Sequence, residues 1–328
     1  MTDLDLNDFE IVRELRSYPE RRVLAAVHKA TGEAVRLTEF SAEISLRPEF
    51  RRAVKMDRAM LAMLKHQSIL KFRGYGDAGG TLLLATDACD LVPLSDQLPE
   101  GRRFSSEDII EIGWQVCSAL QLAHNLGLAH GGLSAESILL SDNLQVTVVD
   151  FGVARWLKAA SLADAPASSG PALITISALA SRQDVEQDLR ELSGLLTQLL
   201  QTCDDKDDAE PGKVPMRLML ERLLARFEIS DPANAVQKPS SAREFQGRLG
   251  EILIGTGDDS MPLVDHRNVA STSRRSIIVE LFEPPQSAST SNAPAAKPAS
   301  FAWRKQFLPI IAIIVVVMIL WLLADRLL

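Results

Sequence analysis

Polar and apolar positions change their period along this chain: strand-like patterns dominate the beginning and helical ones follow, an order that predicts an α+β body. Glu33-Ala34-Val35-Arg36-Leu37-Thr38-Glu39-Phe40 reads as a strand, and strand alternation puts Arg36 and Thr38, two residues apart, on one face. A run from Leu144 to Val149 ends at Asp150-Phe151-Gly152. After Asp188, residues Leu195, Leu196, Leu199 and Leu200 recur at the spacing of a core-facing helix.

Globular patterning stops near Thr256. From Pro284 to Ser300 the chain is Pro, Ala, Ser and Thr with little else, a composition that cannot bury enough apolar surface to order itself. Phe307 to Ala324 is then an uncharged run, able to cover roughly 27 Å as a helix. Trp303 and Trp321 suit the two edges of a bilayer, and Arg304 and Lys305 precede the run. The expected organisation is a globular domain over 1–255, a disordered cytoplasmic linker over 256–302 and a single C-terminal transmembrane anchor over 303–328, with the N-terminal domain in the cytoplasm.

Charge and cysteine usage narrow the function. A net charge of −8 argues against nucleic-acid binding, which needs concentrated Lys and Arg. Cys89, Cys117 and Cys203 are widely spaced, which fits a reducing compartment and no structural zinc.

Two loops carry the chemistry. His130-Gly131-Gly132-Leu133-Ser134-Ala135-Glu136-Ser137 lies twenty residues before Asp150-Phe151-Gly152, the order and spacing of the catalytic and metal-binding loops of protein kinases. From about Phe9 to Leu253 the chain resembles the protein kinase superfamily, most of all membrane-tethered bacterial Ser/Thr (Hanks-type) kinases. That resemblance implies a two-lobed protein-kinase-like fold, a nucleotide cleft for ATP and magnesium, and a signalling role. It makes Asp150 a metal ligand, His130 a brace of the catalytic loop, and Asp188 the buried acid that holds that loop's backbone.

The chemical positions depart from the pattern. The proton-accepting aspartate of the family is Gly132, the second metal ligand is Ser137, and the lysine that approaches the transferred phosphate is Ser134. The three glycines of the phosphate loop fall on Arg16, Tyr18 and Arg21, with Pro19 between them, so no backbone cradle for phosphates is expected. The phosphate-binding lysine is Thr38. Arg36, where the family has a small alanine, is expected to enter the cleft and to face Asp57, which stands where the family's ion-pairing glutamate is. Arg36, Asp57 and Asp150 are therefore the candidate cofactor-binding residues. No Ala-Pro-Glu equivalent precedes Asp188, and the arginine that such a glutamate would bind is Lys238.

The expected function is a catalytically deficient pseudokinase, a membrane-anchored regulatory or binding module. Its partners are an unidentified cytoplasmic protein and the bilayer through residues 307–324; no cofactor is required, although ATP and magnesium are the ligands the resemblance offers. One alternative is a divergent Ser/Thr kinase in which Arg36 replaces the lysine and Glu136 serves as base. Another is a membrane interaction scaffold that binds no nucleotide.

Overall fold

The early alternation folds into a five-stranded antiparallel sheet of β1 (Phe9–Ser17), β2 (Arg21–His28), β3 (Ala34–Phe40), β4 (Phe72–Ala78) and β5 (Thr81–Asp87), in the order β1-β2-β3-β5-β4. This computed structural model describes residues 4–162, 180–203, 215–228 and 238–255. The expected linker and the apolar run 307–324 lie outside the described residues. Among the described residues no helix is long and apolar enough to cross a membrane.

Strand periodicity sorts the side chains of β3 between two faces. Val35 and Leu37 join Phe9, Leu24, Ala26 and Ala85 in one apolar cluster, against which Leu4 and Leu6 pack. Gly76 permits this approach, because a Cβ there would fall on the Leu4 backbone. Arg36, Thr38 and Phe40 point to the other face. That face is covered by α2 (Pro48–Met63), which follows the short α1 (Ala42–Ser45) and starts with proline in its first turn, where no N–H is needed. Phe50, Ala53, Val54, Asp57 and Leu61 form the buried stripe of α2, at helical spacing.

A second lobe follows. It contains β6 (Val92–Pro93), β7 (Ile138–Leu140) and β8 (Val146–Val148), paired in the order β6-β7-β8. Its helices are α3 (Leu94–Gln97), α4 (Ser106–Asn125), α5 (Val153–Leu162), α6 (Arg182–Gln201), α7 (Met216–Glu228) and α8 (Ala242–Ile254). Reciprocal capping boxes, Ser105 with Asp108 and Ser181 with Asp184, start α4 and α6 by satisfying N–H groups that the first turn leaves free. The leucines of α6 at 189, 192, 195, 196, 199 and 200 are all buried. Gly113 of α4 lets α6 come close, since a Cβ would stand 2.8 Å from the Leu196 side chain. The α+β, kinase-like body expected from the sequence is thus a sheet lobe followed by a helical lobe.

One aromatic cluster joins them. Phe40 meets Phe50 edge to face at 4.9 Å between ring centroids and Trp156 of α5 at 6.4 Å, and none of the three has exposed surface. Phe50→Ala leaves a cavity in this cluster and is expected to cost about 3–5 kcal/mol of stability. Urea denaturation of wild type and variant measures it, and a cost near zero would show that α2 is not held here.

Candidate functional site

The loop 130–137 hangs from α6. Asp188, fully buried, accepts the backbone N–H of His130 at Oδ2 and that of Gly131 at Oδ1, both at 2.8 Å. His124, in the last turn of α4, reaches Asp188 Oδ2 through Nε2 at 2.9 Å. One turn along α6, Glu191 accepts the Leu133 N–H at 2.7 Å. A carboxylate held by several donors is a strong, directional anchor. His130 in turn places Nε2 2.9 Å from the Val149 carbonyl and its ring edge-on to Phe151, so it ties the loop to the strand end before Asp150.

The loop so held carries small side chains at its centre. Gly132 carries no side chain, and a Cβ there would lie 2.5 Å from the Cβ of Ala154 in α5. Ser137 spends its hydroxyl inside the loop, accepting the Ser134 N–H at 3.0 Å and donating to the Ser134 carbonyl at 2.9 Å. Ser134 is exposed, and Thr38 is buried and uncharged.

Asp150 is the centre of what remains. Its backbone is left-handed, φ 66°, a conformation that aspartate tolerates better than most residues. Arg21 Nη1 donates to Oδ2 at 2.8 Å, and Arg36 Nη2 stands 3.6 Å from Oδ1. All three side chains are almost covered, at 11–12% exposure. Burial by itself would push the Asp150 carboxyl up; Arg36 and Arg21 outweigh it and hold the group below the usual carboxylate range. Arg21 also stacks over the Tyr18 ring at 4.5 Å. Burial raises the Tyr18 phenol, Arg21 opposes that, and the facing Glu136 and Asp150 carboxylates add to it. Arg16 forms an ion pair with Asp96 of α3.

The expected Arg36–Asp57 pair does not form. Asp57 is fully buried on α2, where Arg155 forms an ion pair with it and the Trp156 indole Nε1 donates to its Oδ2 at 2.7 Å. The physical reason is α5, which begins directly after Gly152 and lays Arg155 and Trp156 against α2. Gly152, φ 80°, makes room, because a Cβ would sit 3.0 Å from the Trp156 ring and 3.1 Å from Asp57 Oδ2. Arg36 is left to turn to Asp150. Lys238 likewise finds a partner, Glu186 of α6, which it holds below its usual range. Of the candidate residues, the structure brings together Arg36 with Asp150 and His130 with Asp188; Arg21, His124, Arg155, Trp156 and Glu186 enter the site unannounced by the motif. An arginine at a glycine position was the available sign for Arg21.

Residues 21–170 match the protein kinase domain family. Over 144 residues the chain is 31% identical to the serine/threonine-protein kinase PknA of Mycobacterium tuberculosis, which takes in 42% of this chain and 33% of PknA. It is 26% identical over 134 residues to the serine/threonine-protein kinase Pkn1 of Chlamydia trachomatis, with 41% of this chain and 22% of that protein covered. The chain spans about a third or less of the length of these curated relatives. The kinase domain of Mycobacterium tuberculosis PknI superposes with a TM-score of 0.56 over 77% of this chain and 98% of that domain; at 20% identity this likeness concerns the fold alone.

The Asp150 cluster has a pH signature. Its carboxyl is depressed in the folded protein by Arg36, Arg21 and His130, with Tyr18 also facing it. The stabilisation is therefore complete above the unfolded value of about 3.9 and is lost as pH falls through the lower folded value. Wild type and Asp150→Asn should differ most in urea stability above about pH 5 and converge near about pH 2. A difference that stayed constant across this range would show that the carboxylate charge does not hold the cluster.

Proposed function

We propose that this chain, which belongs to the protein kinase superfamily and carries a protein kinase domain like those of bacterial Ser/Thr kinases, is a catalytically deficient, membrane-anchored member that acts as a signalling or regulatory binding module. The observation that carries the proposal is the Arg21–Asp150–Arg36 cluster. In phosphoryl transfer by kinases this aspartate position supplies a metal ligand, and the metal neutralises charge on the phosphates. Here Asp150 already has two permanent cations of the protein's own, and a hard divalent ion gains little from a carboxylate so occupied.

The other positions support the same reading. Gly132 cannot accept a proton, which by itself removes about 10²–10⁴-fold of rate. Thr38 brings no charge to the phosphates, and Arg16, Tyr18 and Arg21 fill the ground where backbone N–H groups would cradle them. Glu136, the base of the alternative divergent kinase, faces the Tyr18 phenol, and Arg36 faces Asp150, so neither is disposed to replace a lost group.

Purified protein is expected to transfer no phosphate from radiolabelled ATP to itself or to generic protein substrates. Gly132→Asp is expected to leave it inactive, because the added side chain collides with Ala154 and the cations on Asp150 remain. Millimolar Mg-ATP should barely move the thermal midpoint, whereas binding at a hundredth of the ligand concentration would add about 2.7 kcal/mol. Robust transfer abolished by Asp150→Ala would overturn the proposal in favour of an active, divergent kinase.

The membrane part rests on the sequence of residues 303–328: an uncharged span with Trp303 before it and Trp321 near its far end, preceded by Arg304 and Lys305, which favours a cytoplasmic body. A cytoplasmic protein is the proposed partner, and the net charge of −8 supports no role for nucleic acid. Full-length protein is expected to pellet with salt-washed membranes, and a chain ending at Pro298 to stay in the supernatant. Membrane retention of the shortened chain, or digestion of the body by protease added outside intact cells, would contradict this topology.

A further inference from the structure

Residues 16, 18 and 21 stand on three successive points of the β1–β2 hairpin, on the side that faces the helical lobe. Arg16 pairs with Asp96 in α3, Arg21 donates to Asp150 at the end of the run that contains β8, and Tyr18, stacked under the Arg21 guanidinium, lies within electrostatic reach of Glu136 in the loop before β7. We infer that Arg16, Tyr18 and Arg21 form a clasp that holds the two lobes closed without any bound ligand.

Three features carry this inference. The two ion pairs lie on separate elements of the helical lobe, so together they restrain both hinge opening and twist, which a single pair would not. The charges are balanced across the cleft: Arg16, Arg21 and Arg36 from the sheet lobe face Asp96, Glu136 and Asp150, so the closed state needs no outside counter-ion. The clasp is also graded in exposure. Arg21 and Asp150 are nearly covered, and Arg16 and Asp96 are at 35% and 38%. Water and salt screen a pair that open, so the Arg16 end is where the clasp yields first.

The consequence concerns regulation. In a cleft closed by a bound nucleotide, occupancy sets the lobe arrangement; here it is set by side chains, and the surface offered to a partner is constant until something competes for Asp96, Glu136 or Asp150. This goes beyond catalytic deficiency and does not depend on it, since an active enzyme with the same clasp would close in the same way.

Hydrogen exchange on the full chain in detergent tests it, read at the amides of 9–28 and of 132–137 in the absence of nucleotide. Arg16→Asp puts two carboxylates face to face and is expected to speed exchange in both segments about fivefold or more, while α4 and α6 stay protected. Exchanging the charges, Arg16→Asp with Asp96→Arg, should restore the slow rates. Tyr18→Phe, which keeps the ring under Arg21 and removes only the hydroxyl, should loosen 132–137 alone. If Arg16→Asp quickens only its own strand, or if the exchanged pair stays as fast as the single variant, there is no clasp. Loss of protection in α4 and α6 would mean unfolding; the milder Arg16→Gln then takes its place, and unchanged rates there would also overturn the inference. The same measurement repeated with Mg-ATP reports nucleotide binding separately, so the clasp and the proposed function can fail independently.

Discussion

A carboxylate removed from water must be given a countercharge, and that requirement at Asp150 organises the cleft. Taking an ion out of water costs several kcal/mol, which an opposite charge repays only with good geometry. Arg21 supplies a direct hydrogen bond and Arg36 a second charge beyond the other oxygen. Because the arginines rise from β2 and β3 while Asp150 follows β8 in the other lobe, electrostatic satisfaction of one side chain also joins the lobes. A divalent ion could serve the same carboxylate, but it would exchange with solvent and need further oxygen ligands. A guanidinium is always charged and is tethered to the chain.

The same rule governs Asp57, with a different outcome. This carboxylate is buried on α2 beneath α5, and Arg155 and the Trp156 indole satisfy it locally. Trp156 simultaneously closes the aromatic cluster with Phe40, so polar satisfaction and apolar packing are carried by one side chain. The α2–α5 interface thereby takes the acid that would otherwise face the sheet, and β3 is left with an arginine free to seek Asp150.

Much of the scaffold was legible in the sequence. Strand alternation puts Arg36 on the cleft face, and the family resemblance puts His130 in the catalytic loop and Asp188 on the helix that holds that loop. Partner choice was less legible. Alternation tells which face a side chain leaves from but not how far a long arginine reaches, so Arg36 was matched with Asp57 rather than with Asp150. Arg155 and Trp156 follow a loop motif, and nothing in their own pattern announced a helix turning onto α2. Arg21 was readable as a missing glycine; its role as a substitute cation required knowing where the hairpin lies over Asp150. His124 and Asp188 are 64 residues apart in sequence and 2.9 Å apart in space, a pairing that no local pattern signals.

The departures of this chain from the protein kinase pattern are consequently a matter of packing as well as of residue identity. An acid at position 132 needs the volume that Ala154 occupies, and Ala154 belongs to the helix that Arg155 and Trp156 hold against Asp57. Moving that helix would expose a buried carboxylate and open an aromatic cluster, while leaving Arg21 and Arg36 on Asp150. Side chains that share partners in this way do not contribute additively, so replacing them one at a time meets a cost at each step with no compensating gain. Within a kinase-like scaffold, Asp57 and Asp150 are each held in an ion cluster by the protein's own arginines, and it is the side chains around such a site, not the fold, that decide its chemistry.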